Sequence, residues 1–236
     1  MSLQQLLDDA PAIHGEAGGD DLITHGLLVG ALEFIDRVVQ PGSRTLETGS
    51  GYSTILFAMK GAQHTCIVPN QPEIDRILAY CEQQSIDTSN LTFQAKPSER
   101  VLPTLDTGPL DLVLIDGSHS FPQVFIDWFY VAEALQVGGH MLVDDVHLWT
   151  GRVLRDFLAA EPEWQIVDEL GGRTAIVHKV GEVDPDRVWN EQPYVLKKTH
   201  LGAPTMARQS VSMVRHGHAD ELAARVREVA RRRFNR

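Results

Sequence analysis

Three short stretches of this 236-residue chain combine glycines, acids and histidines in patterns that could do chemistry. The first is ETGSGYS at 47–53, where a short apolar strand meets a turn containing Gly49 and Gly51 before an amphipathic segment. Both glycines can adopt positive φ and let a ligand approach the backbone N–H groups that a strand–turn–helix unit presents. The other two, IDGSH at 115–119 and VDDVH at 143–147, place acids and histidines after apolar runs. The turn by itself predicts a nucleotide-like ligand.

The elements that must position these stretches are strands that alternate with helices. Five apolar runs are separated by helical segments, and two further strands are joined by Gly171-Gly172, a two-residue hairpin turn. We therefore predict an α/β fold with a Rossmann-like, seven-stranded, mostly parallel sheet, helices on both faces and a terminal antiparallel hairpin. The strands are predicted at 45–46, 64–68, 91–95, 110–116, 140–143, 164–170 and 173–179.

The helices are predicted from apolar periodicity and from residues typical of helix ends. One begins at Ser120 as its cap, with Pro122 in the first turn and Gln123 at the capping-box position, and it ends at Gly138-Gly139. The others are predicted at 22–39, 53–60, 72–84, 98–105, 150–160 and 220–234.

Ligands of such sheets bind beyond the carboxyl ends of the parallel strands. Three of the five predicted ends carry acids, namely Glu47, Asp116 and the pair Asp144-Asp145. We divide the chain into an N-terminal extension at 1–21, the sheet domain at 22–180, and a C-terminal loop or lid with a helix at 181–236.

The composition of the chain limits the classes of partner that we expect it to bind. The net charge of −11 disfavours nucleic acid and anionic membranes. No apolar run approaches the length of a membrane span, and two cysteines without a CxxC motif favour a reducing, cytoplasmic setting. We also predict a homo-oligomer, because the two extensions need a surface on which to pack.

The order of elements, together with ETGSGYS, LVLIDGSH and GGHMLVDDV, resembles class I S-adenosylmethionine-dependent methyltransferases. It is most similar to the metal-assisted O-methyltransferases of small molecules, over about 22–179. The resemblance implies that the substrate is a small hydroxylated molecule. It also implies that the amino-acid half of S-adenosylmethionine is held at the glycine turn by Glu47, Gly49, Gly51, Tyr52 and Ser53.

The same resemblance implies a divalent cation site. Asp116 would face both cofactor and metal, and Asp144 and Asp145 would complete the ligand set, although one of two adjacent acids could instead cap the next helix. Oxygen ligands suit Mg²⁺, Mn²⁺ or another divalent cation, which would lower the pKa of a substrate hydroxyl. For Asp116 a purely structural or capping role is the alternative.

Histidines near the strand ends are the candidate catalytic bases. His119 could take the hydroxyl proton or contact a metal-bound water, and His147 is a second candidate. A lysine from the C-terminal segment is a further alternative. Other histidines, including His14, are interpreted as surface groups.

Two positions depart from the family pattern. Val68 stands where an acid usually binds the ribose hydroxyls, and Asn70 or Glu73 from the next turn could replace it. Pro97 removes an N–H from the loop after the third strand, while Ser98 can still contact an adenine edge. These departures motivate the alternative function, a methyltransferase-like fold without turnover that serves as a binding or assembly module. A third, weaker reading is another nucleotide-using Rossmann enzyme.

Overall fold

The computed structural model describes residues 1–14, 26–184, 186–199, 211–220, 223–224 and 227. Seven strands form one sheet in the order β3-β2-β1-β4-β5-β7-β6. The first five run parallel, and β7 is antiparallel to both β5 and β6, so the predicted fold class is confirmed. The strands are β1 (Arg44–Thr48), β2 (Gln63–Ile67), β3 (Leu91–Gln94), β4 (Leu110–Ile115), β5 (Leu135–Val143), β6 (Trp164–Leu170) and β7 (Thr174–Lys179).

Helices cover both faces of this sheet. Successive residues of β4 point to opposite faces, so Leu112 and Leu114 pack in one apolar cluster while Val113 and Ile115 pack in the other. Burial on both faces explains why LDLVLI reads as an almost continuous apolar run. The helices are α1 (Leu3–Asp8), α2 (Val29–Val38), α3 (Tyr52–Met59), α4 (Gln71–Gln83), α5 (Ser98–Val101), α6 (Gln123–Ala134), α7 (Trp149–Leu158) and α8 (Pro193–Lys198), with 3₁₀ turns at Leu102–Thr104 and Trp189–Glu191.

Two predicted boundaries around α6 are wrong. The helix begins at Gln123 instead of Ser120. The side-chain Nε2 of Gln123 donates to Ser98 Oγ at 2.7 Å, so this side chain does not form the predicted capping box with Ser120. The helix ends at Ala134, and Gly138-Gly139 lie inside β5. Gly138 has φ +93°, and the pairing with β4 shifts register next to it, which is how a glycine bulge lets a strand start early.

The chain separates into two compact units, residues 1–187 and residues 188–236. In the second unit, the 3₁₀ turn, α8 and a helical stretch at 211–215 occupy part of the predicted loop. Most of the helix predicted at 220–234, and the predicted helix start at 22–25, lie outside the described residues. Within the described part of the chain, no helix is both long and apolar enough to cross a bilayer.

Candidate functional site

A cavity of about 580 Å³ opens at the carboxyl ends of β1, β2 and β4. Its volume falls within the roughly 300–1,000 Å³ typical of small-molecule sites. Four of the residues predicted to bind cofactor line it, namely Gly49, Asn70, Ser98 and Asp116. The other four, Glu47, Gly51, Tyr52 and Ser53, lie outside its lining.

The glycine turn is packed directly against the end of β4. Gly49 has φ +95°, and a Cβ at this position would collide with the carbonyl oxygen of Asp116. The Gly49 N–H donates to the Ile67 carbonyl at 3.0 Å, which ties the turn to the end of β2. Only glycine therefore allows the ends of β1 and β4 to approach so closely beside the cavity.

Glu47 is directed into the protein interior, with only 1% of its surface exposed. It accepts hydrogen bonds from Ser53 Oγ at 2.6 Å and from Thr54 Oγ1, both in the first turn of α3. His64 Nε2 lies 3.1 Å from Glu47 Oε1, the oxygen that also accepts from Thr54, and His64 Nδ1 is 2.8 Å from Thr45 Oγ1. The carboxylate thus holds α3 and β2 onto β1 beneath the glycine turn.

Glu47, His64 and Cys66 form a group whose potential metal-ligand atoms all lie within 4.8 Å of one another. Burial and the neighbouring Glu47 raise the pKa of the Cys66 thiol well above its ordinary value, so it stays protonated. The thiol also lies 3.2 Å from the Gly49 carbonyl, and the imidazole and carboxylate are hydrogen-bonded as described. Since a thiolate is the metal ligand and every member already has a partner, the group works as an interior hydrogen-bond network.

On the β2 side of the cavity, Glu73 takes the polar role that the buried Val68 does not fill. Its carboxylate accepts from Ser50 Oγ at 3.0 Å and from Asn70 Nδ2 at 2.9 Å, and His14 Nδ1 lies 3.5 Å away. Although burial opposes ionisation, the contacts with His14, Ser50 and Asn70 hold the pKa of Glu73 below its ordinary value. All of these polar residues line the cavity, including His14, which the sequence analysis left on the surface.

The β3 side of the cavity is shaped by a buried polar trio. Ser98 Oγ donates to Asp127 Oδ1 at 2.6 Å, and Gln123 Nε2 lies 3.2 Å from the same oxygen. Burial raises the pKa of Asp127 despite these hydrogen bonds. Ser98 and Gln123 line the cavity, and together they fix the start of α6 next to it.

Next to the cavity, the acids at the ends of β4 and β5 form a cluster. Asp116 keeps 24% of its side chain exposed, whereas Asp144 is 1% exposed. Burial, and then the negative charges of Asp144, Glu47 and Asp145, raise the pKa of Asp116 well above its ordinary value. Such crowding of like charges is typical of functional sites and calls for a positive group.

The two candidate bases adjoin this cluster. His119 Nε2 lies 3.0 Å from Asp145 Oδ2 and 3.8 Å from Asp116 Oδ1. Thr150 Oγ1 donates to the His119 carbonyl at 2.6 Å and so holds the loop against the start of α7. His147 is half-exposed, with Nδ1 3.6 Å from Asp145 Oδ1. The structure therefore brings both histidines to the same carboxylate.

The positive group in the cluster is Arg173, which the sequence analysis did not single out. Its Nε donates to Asp145 Oδ1 at 2.8 Å, and its Nη2 lies 3.5 Å from Asp144 Oδ2. Thr174 Oγ1 donates to the other oxygen of Asp144. Although burial opposes its charge, Asp144 and Asp145 raise the pKa of Arg173.

The three predicted metal ligands do not fit a divalent ion as they are arranged. Among the described residues, Glu47, His64 and Cys66 are the group with three ligand atoms within 4.8 Å of one another, so the three aspartates do not converge in this way. The oxygens of Asp144 and Asp145 instead face a guanidinium, a hydroxyl and imidazoles.

Comparison with known proteins finds a family model that matches the central part of the chain. Residues 46–146, which span the glycine turn and both acidic strand ends, match the family model described as "Methyltransferase domain". This central part of the chain is similar to methyltransferase domains. This match confirms the resemblance to S-adenosylmethionine-dependent methyltransferases and the predicted class of enzyme. A search of curated protein sequences found no match.

Solved structures support the methyltransferase fold. Cofactor-bound Rv0187 from MTB is 17% identical, covers 66% of this chain and 83% of its own, and has a TM-score of 0.56. The O-methyltransferase TomG from Streptomyces achromogenes, in complex with SAM, is 16% identical over 66% and 82%, with a TM-score of 0.55. An rRNA methylase from Streptococcus thermophilus is 12% identical over 64% and 95%, with a TM-score of 0.51.

Proposed function

We propose that the protein transfers a methyl group from S-adenosylmethionine to a hydroxyl oxygen of a small molecule. The observation that carries this proposal is the position of Asp116. It lines the cavity beside the glycine turn and also lies in the acidic cluster, 3.8 Å from His119. A cofactor in the cavity and a substrate at the cluster would therefore meet at the end of β4.

Each half of the site has its own task. When bound, the cofactor supplies a methyl group activated by its sulfonium. Gly49, Asn70 and Ser98 line its cavity, and Glu73 offers the carboxylate for the ribose side that Val68 lacks. His119 takes the proton of the substrate hydroxyl at Nδ1, while Asp145, 3.0 Å from Nε2, orients the imidazole. A positioned base contributes about 10²–10⁴ in rate, and alignment of the two reactants supplies much of the rest.

A small organic substrate is supported by the rim of the cluster. Phe121 and Trp149 each follow a candidate base by two residues, are exposed, and have ring centroids 6.2 Å apart. TomG, a neighbour in fold, is named as an O-methyltransferase of tomaymycin synthesis. Because one neighbour in fold is an rRNA methylase, RNA is included as a comparison substrate. The net charge of −11 disfavours the binding of RNA.

Magnesium assistance, a homo-oligomer and a cytoplasmic setting stay predictions, and the arrangement of the three aspartates does not support the first. The last is supported by Cys66 and Cys81, which are both buried and unpaired. Chelation with EDTA during turnover tests the first, and the molar mass in solution tests the second.

The deciding experiment is calorimetry of the full chain with S-adenosylmethionine and S-adenosylhomocysteine. Micromolar binding of both supports the proposal, and binding of neither contradicts it. Transfer of labelled methyl to a panel of phenols, sugars and RNA then follows, with His119→Gln compared against His178→Gln. His178 is a half-buried histidine on β7 that stacks on His140 outside the cavity lining. Binding without transfer to any acceptor favours a binding module.

A further inference from the structure

We propose that Arg173 is the built-in cation of the acidic cluster, holding the place between Asp144 and Asp145 that a divalent ion would otherwise take. While Arg173 is in place, the protein binds no divalent ion at these carboxylates. This inference deepens the proposed function and rests on it for its catalytic meaning, whereas its binding test stands by itself.

The contacts leave no carboxylate oxygen of the β5 end without a donor. On Asp145, Oδ1 accepts from Arg173 Nε at 2.8 Å and Oδ2 lies 3.0 Å from His119 Nε2. On Asp144, Oδ1 accepts from Thr174 and Oδ2 lies 3.5 Å from Arg173 Nη2. A divalent ion that needs several of these oxygens at about 2.0–2.6 Å would have to displace the guanidinium first.

The fold places Arg173 here through its backbone. Because β7 runs antiparallel to β5, with Val143 paired to Ala175, the residues just before β7 lie beside the residues just after β5. The Val146 N–H donates to the Arg173 carbonyl at 2.8 Å, which anchors the main chain at the cluster. The guanidinium thus reaches both acids from a residue that is itself hydrogen-bonded to the segment carrying them.

Arginine is chemically suited to this role. Its guanidinium is charged at every accessible pH, is weakly hydrated, and matches carboxylates with several donors at once. It therefore neutralises crowded acids without the strict coordination shell of Mg²⁺. In the proposed reaction, Arg173 acts as a positioning residue: it holds Asp145, and Asp145 holds the base His119.

The test is Mn²⁺ binding to the full-length protein, measured by calorimetry and by the paramagnetic resonance of free Mn²⁺. We expect no saturable binding at the cluster in the wild type, and binding at least about tenfold tighter in Arg173→Ala, because divalent affinity follows the uncompensated ligand charge. Arg155→Ala is the matched control, since Arg155 is similarly exposed and pairs with Glu169 and Asp156. It should behave as the wild type. Adding Asp145→Asn to Arg173→Ala should abolish the new binding.

Mn²⁺ binding to the wild type that Asp145→Asn abolishes would overturn the proposal, as would equal affinity in the wild type and Arg173→Ala. If Arg173→Ala does not fold, Arg173→Met keeps an unbranched apolar side chain and removes the guanidinium with its charge and its donors, and the same tightening is expected. Calorimetry with S-adenosylhomocysteine in the same samples separates the two ideas. Failure to bind it contradicts the proposed function, while the Mn²⁺ result alone decides the role of Arg173.

Discussion

Two groups of acids lie at neighbouring strand ends and are neutralised in different ways. Glu47, at the end of β1, is 1% exposed and is held by the hydroxyls of Ser53 and Thr54 and by the imidazole of His64. The acids after β4 and β5 are instead crowded together: Asp116 lines the cavity, and the guanidinium of Arg173 balances Asp144 and Asp145.

The difference separates an acid that is fixed inside the protein from acids to which we assign a role in the proposed function. Buried hydrogen-bond donors fix the side chain of Glu47, and their contacts link β1, β2 and α3. In the second group, burial and neighbouring acids raise the pKa of Asp116, and the imidazole of His119 contacts both Asp116 and Asp145.

The largest expected effect on stability is that of Glu47→Ala. It leaves Ser53, Thr54 and His64 buried without their shared acceptor, and it should lower the free energy of unfolding by about 3–5 kcal/mol. Denaturant unfolding measures this loss, with Glu133→Ala on the exposed face of α6 as the control. A loss no larger than that of Glu133→Ala would remove the distinction between the two groups.

Asp116→Asn should show the reverse pattern. Because burial and neighbouring acids raise the pKa of Asp116, its ionised form is disfavoured in the folded state. The neutral amide should therefore change the free energy of unfolding by less than about 1 kcal/mol, or increase it, at neutral pH. Methyl transfer should fall by about 10²-fold, since Asp116 joins the cavity to the base. Unfolding and turnover assays on the same preparation check both parts, and a loss of stability like that of Glu47→Ala would contradict them.

The smallest effect concerns Glu73, on the cofactor side of the cavity. Its pKa is lowered in the folded state, so its contribution to stability is present above the ordinary carboxyl pKa and is lost as the pH falls through the folded value. At pH 7 we expect Glu73→Gln to cost about 1 kcal/mol, and the difference from wild type to shrink near pH 4. Guanidinium unfolding at both pH values measures it. Glu82→Gln, an exposed acid on the same helix, should show no such trend.

Much of this molecule follows from local patterns. The continuous apolar run of β4, the alternation of strands and helices, and the hairpin turn at Gly171-Gly172 predicted the sheet correctly. The glycine at position 49 predicted that a ligand approaches the backbone closely. In the structure Gly49 lines the cavity, and the group packed against it is the Asp116 carbonyl. The predicted start of α6 was wrong because the side chain of Gln123 is used in a contact with Ser98, far away in sequence, and the predicted end was wrong because Gly138 lies in a bulge of β5.

What the sequence by itself determined is the class of fold and the set of acids at its ligand-binding edge, because periodicity and strand ends are local properties. Only the tertiary structure decided which of those acids line the cavity and which are buried. The burial of Glu47 depends on its contact with His64, and the neutralisation of Asp144 and Asp145 depends on a hairpin that returns Arg173 to them. These choices rest on pairings across the sheet between residues distant in the chain.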